Sequence, residues 1–219
     1  MATVTDSKTV KTSTPPRDTA SWGFRARGLM AAVVGICFGI PALLSPPLAA
    51  AGTWPALALD VLGWMLFVTA ATFRFWSTLY IGGRKTYTLA CEGPYSICRN
   101  PLYVGTFLLW LSAAVFFKSL TLVLGVAVGV VFYLLVTIPI EEKLLRQVLG
   151  APYEEYCRKV PRLWPRFSLF HTSPTITVTT AGLWTECRRA VRWIWLPMVA
   201  AVLAYARNQP SWPHWFHLP

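Results

Sequence analysis

Four apolar runs of about twenty residues, separated by basic polar stretches, restrict this chain to a bundle of helices in a lipid bilayer. The runs cover residues 28–51, 54–73 (extensible to Tyr80), 101–117 and 120–140. In hydrocarbon every backbone N–H and C=O must find its partner within the protein, and a continuous apolar run does so as a helix. A fifth run, 190–206, is shorter and contains Arg192 and Pro197. It fits either a span or an interfacial helix with its tryptophans at head-group level. Only 13% of the 219 residues are charged and 55% are hydrophobic, whereas a soluble domain carries about a quarter charged residues.

The expected fold is therefore all-α, a polytopic transmembrane bundle of about five spans with short cytoplasmic amphipathic helices. Pro41, Pro46 and Pro47 should kink or end the first helix near Ser45. Asp60, a lone acid within the second run, should face the bundle or lie near an interface. Only Lys118 and Ser119 separate the third and fourth runs, so these two should form an antiparallel hairpin. Residues 141–149 read as a short amphipathic helix ended by Gly150, and 152–159 as a second, with Pro152 in its first turn. Residues 1–20, rich in Thr, Ser, Pro and Lys, read as a disordered tail. Residues 21–170 then form the membrane domain, and 171–219 a linker and a C-terminal hydrophobic helix.

A net charge of +11, from 20 Lys and Arg against 9 Asp and Glu, could signal nucleic acid. Its placement points to the lipid bilayer as the partner instead. Lys8, Lys11, Arg17, Arg25 and Arg27 precede the first run, and Arg84, Lys85 and Arg99 lie between the second and third. Eight more, from Lys143 to Arg189, lie between the fourth and fifth, while the opposite loops carry Lys118 and Arg207. The positive-inside rule places the N-terminus and both polar stretches, 82–100 and 141–170, on the cytoplasmic face. The five cysteines form no CxxC pair and no zinc-like cluster, so no metal site is expected, and Cys37 reads as a packing residue.

The two polar stretches hold the candidate chemistry. Gly93-Pro94 is a turn signal, Pro101 suits the first turn of a helix, and Asn100 suits its N-cap. A capped helix start with interfacial Tyr95 and Tyr103 explains most of this stretch. It does not explain Arg99 immediately before the cap, which together with a helix N-terminus makes a site for a carboxylate. Glu141-Glu142 follows an apolar helix on the side that otherwise gathers cations. Paired acids there could bind an ammonium or the hydroxyls of a ribose.

The ordered set of motifs has a family likeness. Residues 86–105 end in Gly93-Pro94-Tyr95, Arg99-Asn100-Pro101, Tyr103 and Gly105. After the hairpin come Glu141-Glu142 and Leu145, then Leu149-Gly150, Tyr153, Tyr156 and Val160-Pro161. This combination resembles the isoprenylcysteine carboxyl methyltransferase family, within a wider set that includes phospholipid N-methyltransferases and bacterial thiol methyltransferases. The likeness covers residues 80–167. It implies S-adenosylmethionine as cofactor and a lipophilic or membrane-partitioned methyl acceptor. The implied cofactor contacts are Tyr87, Thr88, Leu89, Ala90, Tyr95, Asn100, Pro101, Leu102, Tyr103 and Glu141. Arg99 and Glu142 are the implied catalytic candidates.

Two positions depart from the family pattern. Many members have His where this chain has Asn100, although phospholipid-methylating relatives also show Asn-Pro. Prenylcysteine methylators carry Arg where this chain has Thr137, which points toward an amine or thiol head rather than a carboxylate. Two rival readings are a nicotinamide-dependent enzyme resembling the sterol reductases, through residues 155–161, and a non-catalytic membrane scaffold.

Overall fold

The computed structural model describes residues 27–81 and 89–216. The expected tail, the cofactor contacts Tyr87 and Thr88, and the cations Arg84 and Lys85 lie outside the described residues. Among the described residues every regular element is a helix. The helices are α1 (Arg27–Leu43), α2 (Trp54–Ile81), α3 (Pro94–Ile97), α4 (Pro101–Phe116), α5 (Leu120–Leu149), α6 (Ala151–Lys159) and α7 (Thr180–Arg207). The 28 residues of α2, the 30 of α5 and the 28 of α7 are long and apolar enough to cross a bilayer, and α1 and α4 are shorter apolar helices. Large apolar side chains such as Met65, Leu135 and Val202 lie exposed on their outer faces. Such extensive exposed apolar surface is at home in lipid. The protein is an integral membrane helix bundle.

The first helix ends at Leu43, close to the expected Ser45, because Pro46 and Pro47 cannot continue it. Two sequence-based expectations need correction. Cys37 does not pack inside but is exposed on the outer face of α1. The separate amphipathic helix expected at 141–149 is instead the continuation of α5. At about 1.5 Å per residue, thirty residues span roughly 45 Å, so α5 carries its charged end beyond a hydrocarbon core of about 30 Å.

Pro139 does not break α5 because the helix widens into a π-helical stretch, Tyr133–Thr137, just before it. The wider turn absorbs the missing N–H and the bulk of the ring. In α1 the π-helical stretch Gly35–Gly39 precedes Pro41 in the same way.

The centre of the bundle is the packing of α2 on α4, made possible by small residues, as is usual between membrane helices. Ala70 is fully buried, and Ser112 Oγ donates to Gly63 O at 2.9 Å. A Cβ on Gly63 would press into the Phe116 ring, and one on Gly105 would meet Ala70 O at 3.1 Å as well as the Arg74 side chain.

At one end of the bundle the basic groups are tied down. Lys118, in the α4–α5 turn with φ 51°, pairs with Asp60 at 2.6 Å, so the acid does lie near a helix end. Arg207 is 1% exposed and donates to Ser45 O, Pro46 O and Phe117 O. Beyond α7 the tryptophan-rich end returns to α1. Trp212 Nε1 donates to Leu43 O at 3.0 Å, and Phe216 N to Leu44 O at 3.1 Å. The opposite end of the bundle holds the polar segments.

Candidate functional site

The turn 93–100 is shaped by backbone constraints and then clamped. Gly93 adopts φ 59°, and a Cβ there would run into the Tyr80 ring, so both the conformation and the space call for glycine. Gly93 N donates to His171 O at 2.8 Å, Arg99 N to Pro161 O at 2.9 Å and Arg166 N to Ile97 O at 2.9 Å. The Val160-Pro161 motif and the loop after it therefore hold this turn from outside. Tyr156, on α6, donates its hydroxyl to Tyr95 O at 2.7 Å.

Asn100 occupies the N-cap position of α4, but its side chain makes no capping bond. Its Nδ2 donates instead to Arg162 O at 3.0 Å, drawing in the loop after α6. Its carbonyl accepts from the amides of Tyr103 and Val104. Since Pro101 has no N–H, Leu102 carries the remaining amide of the first turn.

Glu141 and Glu142, consecutive on α5, point about 100° apart, as helix geometry requires. Glu141 is exposed and accepts a 2.6 Å hydrogen bond from the Tyr103 hydroxyl. Glu142 is 2% exposed and sits among three guanidiniums. Arg162 binds it through two nitrogens at 2.7 and 3.2 Å, Arg99 lies at 3.2 Å and Arg146 at 3.7 Å. The two residues singled out for catalysis thus form an ion pair with each other.

These groups line one cavity of about 420 Å³, within the size range of small-molecule sites. Its walls include Leu89, Ala90 and Tyr95 from the turn region, and Arg99 with the α4 start from Asn100 to Tyr103. Glu141, Glu142, Leu145 and Leu149 contribute from α5, and Tyr153 and Tyr156 from α6. Every described residue among the implied cofactor contacts and catalytic candidates lines this cavity. Sequence reasoning missed Arg74, Thr106 and Arg189, which complete it. Arg74 gave a signal, a cation in an apolar run, whereas Arg189 lies far along the chain from every motif.

Two polar atoms in these walls, Tyr95 Oη and Arg99 Nε, are buried and have no hydrogen-bond partner among the described residues. Tyr95 is 6% exposed, and burial pushes its phenol above the ordinary tyrosine range, so it stays protonated as a donor. Burial pushes the neighbouring Cys98 thiol up to about 12, so it is no thiolate nucleophile at neutral pH. The hydrogen bond to Glu142 raises Arg162 above its ordinary value. Among the described residues, no three His, Cys, Asp or Glu side chains cluster as metal ligands.

Comparison with known proteins places these features in a family. The phospholipid methyltransferase family matches residues 59–151, from within α2 to the start of α6. The nickel-cobalt-cadmium resistance protein NccN of Alcaligenes xylosoxydans xylosoxydans is 33% identical over 168 residues, 76% of this chain and 78% of the relative. The cobalt-zinc-cadmium resistance protein CzcN of Cupriavidus metallidurans is 36% identical over 149 residues, 68% of each chain. The methanethiol S-methyltransferase of Crocosphaera subtropica is 34% identical over 125 residues, 49% of this chain and 45% of the relative. No solved structure matches significantly.

Proposed function

We propose a function from one premise: this chain belongs to the phospholipid methyltransferase family of integral membrane methyltransferases, which also takes in isoprenylcysteine methyltransferases. The cavity binds S-adenosylmethionine, and the acceptor is a lipophilic molecule drawn from the bilayer. One observation carries this reading. The turn at Tyr95, the start of α4 and Glu141, far apart in sequence, converge on a cavity with two buried donors that have no partner among the described residues. A buried polar group without a partner costs about 1–3 kcal/mol, and a ligand bearing a carboxylate, ribose hydroxyls and ring nitrogens relieves such groups.

When bound, S-adenosylmethionine supplies a methyl group on a sulfonium that is already an activated leaving group. Tyr95 Oη and Arg99 Nε donate to acceptor atoms of the ligand. The Leu102 amide and the positive end of α4 favour its carboxylate. Glu141 accepts from its ammonium or ribose. Leu89, Ala90, Leu145 and Leu149 exclude water. Glu142 acts by position, locking Arg99 and Arg162 so that the turn and the loop after α6 close on the ligand. Alignment of this kind lowers a displacement barrier without a metal or a strong base. The resistance relatives suggest tolerance of heavy-metal ions as the setting for the reaction.

Purified protein incubated with methyl-labelled S-adenosylmethionine and a membrane lipid extract is expected to yield a labelled lipophilic product, identified by mass spectrometry. Absence of transfer to any lipid or added acceptor would sink the assignment.

The site faces the cytoplasm in this reading. In support, Lys118 and Arg207 at the opposite end are buried and paired or hydrogen-bonded inside the protein, whereas Arg158 and Arg166 at the site end are exposed. In a cysteine-free background, cysteines placed at the exposed positions Arg158 and Arg166 should react with an impermeant thiol reagent only when the cytoplasmic face is opened. Labelling from the outer face would reverse the orientation.

A further inference from the structure

We propose that the methyl acceptor is an anion and that Arg189, in the first half of α7, receives its charge; this rests on the methyltransferase reading of the cavity. Helix α7 lies beyond the residues that match the family, 59–151, so this part of the wall belongs to the chain's own C-terminal region. Glu186 is 1% exposed and holds Arg74 through both oxygens, at 2.7 and 3.2 Å. Arg74 is otherwise satisfied by Leu102 O at 3.3 Å, by Thr106 Oγ1 and by the Trp193 ring, 4.5 Å away.

Arg189 reaches the same carboxylate with a single nitrogen, Nη1 to Oε2 at 3.2 Å. Its side chain is 47% exposed and stands at the cavity wall. One carboxylate shared by two guanidiniums leaves a positive charge there. Across the cavity Glu142 is likewise shared, by Arg99, Arg146 and Arg162. Among the described residues at these walls, Glu141 is the remaining acid. The cofactor itself carries a net positive charge. A cationic acceptor would add a like charge to this surrounding, and an anionic one balances it.

The position that pointed away from carboxylates has little bearing on this cavity. Thr137 is buried in the π-helical stretch of α5 and is not part of the wall. In the reaction, the anionic atom of the acceptor forms the new bond to the methyl carbon. The carbon–sulfur bond breaks, its electron pair goes to sulfur, and no proton has to be removed.

The test uses the full chain in lipid nanodiscs with three acceptors: N-acetyl-S-farnesylcysteine, thiophenol (ionised at neutral pH) and phosphatidylethanolamine. The unmodified protein should methylate an anionic acceptor faster than the amine. Arg189→Gln should raise the KM for that acceptor about 10- to 100-fold, the scale of one lost charge-assisted hydrogen bond. Binding of the same acceptor to protein loaded with S-adenosylhomocysteine should weaken in parallel. Arg189→Lys should recover part of both, and binding of S-adenosylhomocysteine alone should be unchanged in either variant. Faster turnover of phosphatidylethanolamine, cofactor binding without use of either anionic acceptor, or an unchanged KM in Arg189→Gln would overturn the proposal and leave the methyltransferase reading standing. Failure of the unmodified protein to bind S-adenosylhomocysteine would overturn that reading and the proposal with it.

Discussion

Glu141→Ala is expected to weaken S-adenosylmethionine binding about 10- to 100-fold, the loss of a hydrogen bond to a charged group, while the bundle stays folded. Glu141 is exposed, and among the described residues its side chain's hydrogen bond is the 2.6 Å contact from the Tyr103 hydroxyl. Removing it therefore strips a cavity-lining carboxylate with little cost to packing. Titration calorimetry in detergent measures the affinity, and circular dichroism checks the helices. Glu141→Gln should fall between, because it keeps an acceptor for Tyr103 but loses the charge. Unchanged cofactor affinity in the alanine variant would remove Glu141 from the cofactor site.

Glu142→Ala should act on stability rather than on a single contact. It leaves Arg99, whose side chain is 12% exposed, without its carboxylate and frees Arg162 from the turn. Breaking a buried pair from one side costs about 3–5 kcal/mol. Arg146 and Arg162 are 44% and 40% exposed and regain water, so the lower end of that range applies. For a chain of this size a loss of about 3 kcal/mol lowers the melting temperature by roughly 6–12 °C. Thermal unfolding in detergent measures the shift. A change of less than a degree or two would show that Glu142 does not clamp the turn. The neighbouring acids thus separate: loss of Glu141 should affect binding first, and loss of Glu142 folding first.

Much of the site was legible because it is built from local signals. Gly93-Pro94 marks a turn, Asn100-Pro101 a helix start and Glu141-Glu142 the point where α5 leaves its apolar run, and two residues between the third and fourth runs impose a hairpin. The hairpin brings the start of α4 beside the end of α5, where Tyr103 meets Glu141. The roles within the site were less legible. Asn100 has the chemistry of a cap, yet its side chain is drawn away to Arg162 O. Arg99 and Glu142 looked free to act on a ligand, yet they hold each other.

Hydropathy and charge placement were enough to establish a helical membrane protein with its polar segments gathered on one face, because hydrocarbon forces each long apolar run into a helix whatever its neighbours. The prolines were enough to end α1 early. Proline in α5 was not decisive, since a π-helical turn absorbed Pro139 and carried Glu141 and Glu142 on a single thirty-residue helix. The partners of buried charges emerged only from the packed bundle. Arg74 with Glu186 is separated by 112 residues and Arg207 with Ser45 by 162. A charge in an apolar run signals that a partner must exist, because its isolation in hydrocarbon is too costly. Which residue answers it depends on how the helices cross, and that depends on small residues such as Gly63 and Gly105 letting α2 and α4 come close.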